Sequence, residues 1–241
     1  MCYIILLSRR GVKMKYTKDR KLYVNIIFFI VSLVGMFVIP ALFYSILTKV
    51  FNNKTVCELL ANLLFILFLY LLYFKDLNKE FKTYKEKFKF NFTLGFKYYF
   101  VGLFVMIISN LIIYLTIGNI SCNESLVRDM LFSETLFTMF SIMIIAPLSE
   151  EIIFRKSLMP IIKNKWLYAL ACGLLFGLAH LTSCKMSWLG LVYIIPYGSL
   201  GFVFALMNHE TKSTFTSITI HAVHNTITGL LLLATYFSGA M

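Results

Sequence analysis

Apolar residues run along this chain in seven stretches, each near the roughly 20 residues that carry a helix across a bilayer. The stretches are Tyr23 to Thr48, Val56 to Phe74, Tyr98 to Ile117, Leu136 to Phe154, Trp166 to Leu181, Trp188 to Met207 and Ile218 to Tyr236. Polar and basic residues gather in the connections between them. The pattern predicts an all-α fold, a polytopic membrane helix bundle of about seven transmembrane helices. Two stretches are weakest by hydropathy: the fifth is short, and the fourth is interrupted by Pro147, Glu150 and Glu151.

Composition strengthens the membrane reading. The chain is 59% hydrophobic and 17% aromatic but only 14% charged over 241 residues. That is more apolar surface than a soluble domain of this size buries. No internal repeat, Pro/Gly-rich linker or low-complexity tract divides it, so a single domain is expected.

Charge placement orients the bundle. Nineteen of the 23 lysines and arginines precede the first span or lie in Lys75 to Lys97, in Arg155 to Lys165 and at Lys212, all on one side. The other side holds Lys49, Lys54, Arg128 and Lys185. Basic residues in short loops stay cytoplasmic, so the N-terminus is expected in the cytoplasm and the tail ending in Met241 outside. The net charge of +12 then reads as topology and attraction to anionic membrane lipids, not as nucleic-acid binding.

Other signals are smaller. Met14-Lys15-Tyr16 resembles an ordinary start for a membrane protein, which leaves Met1 and Met14 as alternative starts. Phe81, Tyr84 and Phe88 fall at helical spacing among lysines, fitting either an interfacial amphipathic helix or a solvated basic loop. Five cysteines form no CxxC pair and no metal-ligand spacing. Cys122 and Cys184 share the predicted external side, which allows a disulfide, although sequence supplies none of the required geometry. His209 is expected in a loop, and Glu124, Asp129 and Glu134 in a solvated acidic loop.

Titratable residues inside apolar helices are costly, roughly 2.5 to 3.5 kcal/mol at a helix centre, and those retained face a cavity and one another. Three groups stand out. Glu150 and Glu151 diverge by about 100° on a helix, so they serve different partners. Glu151 and Arg155 are i and i+4 in the order that favours pairing, a structural pair that leaves Glu150 as the candidate acid/base. Counting outward from a turn at Asn164 and Lys165, Glu150 and His180 fall at similar depth in an antiparallel hairpin. Phe176 lies one turn before His180, and Gly173 and Gly177 make a small-residue stripe for close helix packing. On the last span His221 and Asn225 share a face, and spacing alone does not separate His221 from His224.

These residues form EExxxR (Glu150 to Arg155), FxxxH (Phe176 to His180) and HxxxN (His221 to Asn225). In this order they resemble the three signature motifs of the CPBP family, the CAAX-protease and bacteriocin-processing intramembrane endopeptidases, also called the Abi family. The resemblance covers roughly Leu136 to Leu232, and HxxxN selects His221 over His224. It implies a division into a basic cytoplasmic segment 1–22, N-terminal transmembrane helices 23–130 and a catalytic membrane core 131–237. It further implies that Glu150 acts as general base on a water held with His180, and that His221 and Asn225 stabilise the tetrahedral oxyanion. Glu151, Arg155 and Phe176 are structural at the site.

On metal, the resemblance leaves two readings. Glu150, His180 and His221 have the donor types of a catalytic zinc site with a position open to water, and they serve a metal-free glutamate mechanism equally well. No cofactor is assured. The Lys-, Ile- and Phe-rich chain suits a bacterial plasma membrane. There the implied substrate is a membrane-associated peptide or protein, cut near the cytoplasmic half of the bilayer, in bacteriocin self-immunity or peptide maturation. The rival readings are a non-proteolytic membrane scaffold or immunity protein that binds a partner, and a small proton-relay transporter. No paired broken helices or internal repeat favour the last.

Overall fold

Three helix starts follow from single side chains that accept orphan backbone N–H groups. Asn53 accepts from Val56, Ser121 from Glu124, and Asn164 from both Trp166 and Leu167. The computed structural model describes residues 20–182 and 188–239. Most of the segment 1–22, with Cys2 and the Met14 start, lies outside those residues, as does Cys184 of the disulfide that the sequence allows between Cys122 and Cys184.

Eight helices are formed among the described residues: α1 Leu22–Leu47, α2 Lys54–Glu86, α3 Phe88–Ile117, α4 Cys122–Ser133, α5 Thr135–Lys156, α6 Lys165–Leu181, α7 Leu189–Thr211 and α8 Thr214–Phe237. Six of them are long and apolar enough to cross a membrane, while α6 is apolar but has only 17 residues. Large apolar side chains such as Phe100, Phe104 and Leu115 point outward, and charged groups lie inside. That inversion is what a lipid surroundings require of an integral membrane protein.

The small-residue stripe on α6 packs against α7. A Cβ on Gly173 would stand 2.8 Å from the Gly198 carbonyl oxygen, and one on Gly177 would stand 2.9 Å from that of Ile194. The two backbones therefore meet at a separation only glycine permits.

Three expectations are corrected. The aromatic stripe near Phe81 is helical and not a loop: Phe81 and Tyr84 lie in the last turns of α2, which runs for 33 residues, and Phe88 begins α3. Its Phe81 ring lies 5.0 Å from that of Phe215, and Tyr84 shares a 2.7 Å hydrogen bond with Thr219, so α8 draws the segment in. The acidic stretch after α3 is the helix α4, which starts at the S-x-x-E pattern Ser121 to Glu124. His209 is within α7, not a loop, because that helix runs on to Thr211.

At the end of the bundle where α2, α5 and α8 meet, charges are paired inside. Lys156 is bonded to Glu80, whose second oxygen accepts from the Thr214 backbone N–H at 2.9 Å, and Arg20 is bonded to Asp76. From sequence, Lys156 and Arg20 are expected among the basic residues of the connections. Buried pairs of this kind fix register more than they add stability.

Candidate active site

The fifth helix departs from regular α geometry twice. Its Ser141–Ile145 and Ile152–Lys156 stretches are π turns that flank the α-helical Ala146–Glu151. Pro147 explains the first. Proline has no N–H to donate, and the Ala146 N–H bonds to the Ser141 carbonyl, five residues back. The Ile142 carbonyl is thereby left without a backbone donor. Asn225 of α8 supplies one, with Nδ2 at 2.7 Å from Ile142 O. The residue that interrupts the hydropathy of the fourth stretch thus also creates the acceptor that ties α5 to α8.

The second π turn turns Arg155 inward. Glu151 and Arg155 are fully buried, with Glu151 Oε1 3.0 Å from Arg155 Nη1. Arg155 also donates Nη2 to the Gly201 carbonyl at 3.1 Å, and its guanidinium lies 4.5 Å above the Phe176 ring. Glu151 has a further partner that spacing did not reveal: its Oε1 is 2.9 Å from His221 Nδ1. An ionised carboxylate only accepts, so Nδ1 carries the hydrogen and Nε2 is turned toward Glu150. The gap from His221 Nε2 to Glu150 Oε2 is 3.8 Å, and Glu150 Oε2 is buried without a hydrogen-bond partner among the described residues.

His180 is fixed in the same manner. Its Nδ1 donates to the Phe176 carbonyl at 2.8 Å, which leaves Nε2 as an acceptor. Its ring stacks on Tyr197 at 4.4 Å and 22° and lies 4.5 Å from Phe176. Tyr197 shares a 2.6 Å hydrogen bond with Ser121. The sequence reading missed Tyr197, because nothing in the α7 pattern marks it.

Glu150, His180, His221 and Asn225, drawn from α5, α6 and α8, all line one cavity of about 650 Å³. His224 lines it too, but its Nδ1 pairs with the Tyr99 hydroxyl at 3.1 Å, whereas His221 contacts both glutamates. The donor types would suit zinc. Among the described residues, however, no three His, Cys, Asp or Glu side chains are grouped as a metal ion requires.

Residues 132–227 match the family described as type II CAAX prenyl endopeptidase Rce1-like. Those 96 residues are similar to that family. The matched segment holds all three motifs, whereas Tyr99 and most of α4 lie before it. Among curated proteins, an "Uncharacterized protein" of Mycoplasma capricolum is 29% identical over 217 residues, covering 79% of this chain and 62% of that protein. The protein named "Putative membrane peptidase YdiL" of Bacillus subtilis is 29% identical over 140 residues, covering 56% of this chain and 54% of its own. The UPF0177 protein YxdF of Lactococcus lactis is 33% identical over 96 residues, covering 39% and 50%. The chain thus spans between half and about three fifths of the length of these relatives. No solved structure matches the chain significantly.

Proposed function

We propose that this protein is an intramembrane endopeptidase that hydrolyses a peptide bond in a membrane-associated peptide or protein, with residues 131–237 as its catalytic core and 23–130 as supporting helices. The observation that carries the reading is the convergence of Glu150, His180, His221 and Asn225, from three helices, on one cavity. The Rce1-like match and the peptidase name carried by one relative support it.

In this mechanism the Glu150 carboxylate takes a proton from a water whose other hydrogen bonds to His180 Nε2. The water oxygen adds to the peptide carbonyl carbon, and the carbonyl electron pair moves onto oxygen. That oxyanion accepts from the second hydrogen of Asn225 Nδ2, the first being held by Ile142 O, and lies beside the His221 ring that Glu151 orients. Collapse of the intermediate breaks the C–N bond, and Glu150 passes its proton to the leaving amine. Glu151 acts through His221, by holding Nδ1–H.

The biological setting we propose is a bacterial plasma membrane with the N-terminus in the cytoplasm, and a role in peptide maturation or bacteriocin self-immunity. The test is cleavage of membrane-associated peptides by reconstituted protein, comparing wild type with Glu150→Gln, with and without a strong chelator. The expected result is loss on mutation and no chelator effect. Loss with chelator as well would assign a metal to the site. If Glu150→Gln protects cells as wild type does and nothing is cut, the scaffold reading replaces this one.

A further inference from the structure

The cavity lies toward one end of the helix bundle. On α3 its lining begins at Met106, on α5 it ends at Glu150, on α7 it takes Pro196 and Tyr197 at the start, and on α8 it runs from His221 to Thr235. Glu150 and His221 are therefore its floor, and α4, through Glu124 and Arg128, borders its far end.

Below the floor the protein is closed. Glu151, Arg155, Lys156, Asn208, Thr214 and Ser217 are each at most 1% exposed. Tyr168 seals the same layer, donating to the Arg155 carbonyl at 3.1 Å and lying 2.7 Å from Asn208 Oδ1. A peptide reaching Glu150 from that side would have to displace several buried charges, each costly to leave unpaired.

The sealed end is the basic end: it carries the lysines of Lys75 to Lys97, Arg155 to Lys165 and Lys212, while the open end has Lys49, Lys54 and Arg128 among the described residues. By the bias of basic loops toward the cytoplasm, the open end faces outward. We infer that the site is loaded from the non-cytoplasmic face, and that its substrates are unfolded peptide segments presented on that side. At about 1.5 Å per residue the α8 wall from His221 to Thr235 is roughly 21 Å, the span of about six residues of extended chain. A segment of that length threads in extended form, and a folded domain does not. Scission deep in the cytoplasmic half is thus compatible with entry from outside. Met106, Glu124 and Arg128 precede the segment matched by the Rce1-like family, and Thr235 follows it.

This inference takes the word substrate from the peptidase reading, but its geometry is testable without activity. Thr235→Cys, at the cavity's far end, and exposed Lys163→Cys, at the sealed end, are produced in otherwise native chains. Intact cells are treated with a membrane-impermeant maleimide, with the wild type as background. Thr235→Cys should be labelled as fully in intact as in permeabilised cells, and Lys163→Cys should lose its labelling unless cells are permeabilised. Labelling of Lys163→Cys in intact cells, or protection of Thr235→Cys, overturns the inference. An impermeant quenched peptide pool added outside should be cut by wild type, and more slowly by maleimide-blocked Thr235→Cys. Cleavage indifferent to that block also overturns it. Unchanged cleavage by Glu150→Gln would instead sink the peptidase reading and leave the labelling result standing.

Discussion

Glu151 Oε1 receives the His221 Nδ1–H at 2.9 Å while standing 3.0 Å from Arg155 Nη1, so the second glutamate of the pair positions the histidine of another helix. Replacing it separates positioning from stability. Glu151→Gln retains a carbonyl acceptor for Nδ1–H, and should lower kcat by about 10- to 100-fold, the scale seen when a partner that orients a functional histidine is changed. Both variants remove the charge opposite Arg155, but Gln keeps a carbonyl that can accept from the guanidinium and from Nδ1–H, so Glu151→Ala should cost about 3 to 5 kcal/mol of stability and Glu151→Gln less. Thermal unfolding in detergent and steady-state kinetics on both variants check the split. Equal stability loss in the two would count against it.

Asn225 is expected to serve two roles through the two hydrogens of one amide. Asn225→Ala should lower kcat by about 10²- to 10³-fold, as loss of an oxyanion donor does, and destabilise the fold by about 1 to 3 kcal/mol through the orphaned Ile142 carbonyl. The two effects separate in a double-mutant cycle with Pro147→Ala, which restores a backbone N–H five residues beyond Ile142. The stability cost of Asn225→Ala should shrink in that background, and its kinetic cost should not.

Gly173 reports on the α6–α7 contact. A Cβ there meets backbone oxygen at 2.8 Å, which cannot rotate away as a side chain can. Gly173→Ala should cost about 1 to 3 kcal/mol by overpacking, and because α6 carries His180 it should also lower activity. A melting temperature equal to wild type would show that the helices separate freely at this point.

Lys212, between α7 and α8, has φ of 54°, in the left-handed region. Lys212→Gly should stabilise the connection by up to about 1 kcal/mol, relief of strain being offset by the freer unfolded chain. Burial pushes the Lys212 ammonium below its ordinary pKa, with repulsion from Lys165 and Lys163 adding to the effect and Glu210 opposing it. Folding therefore disfavours the charged form. Stability should rise with pH between the depressed folded value and the ordinary lysine value, because there the unfolded chain binds more protons. The Gly variant should lack that rise in pH-dependent unfolding.

The sequence by itself determined the helical membrane bundle, because spans of apolar residues admit little else in lipid, and it determined which charges could not be lipid-facing. It also carried the Glu151–Arg155 pair, since i and i+4 are neighbours on any helix, and the turn at Asn164. Distances between helices were beyond it. That Glu151 holds His221, that Tyr197 stacks on His180 and that Glu80 pairs with Lys156 are contacts between distant segments, fixed by how helices cross and not by any local period. Pro147 was visible as an interruption, but its consequence was not, because a carbonyl freed in one helix acquires meaning only when Asn225 of another comes within 2.7 Å. The tertiary structure alone decided that the cavity is closed beneath Glu150 and His221, since closure depends on side chains from four helices packing into one layer.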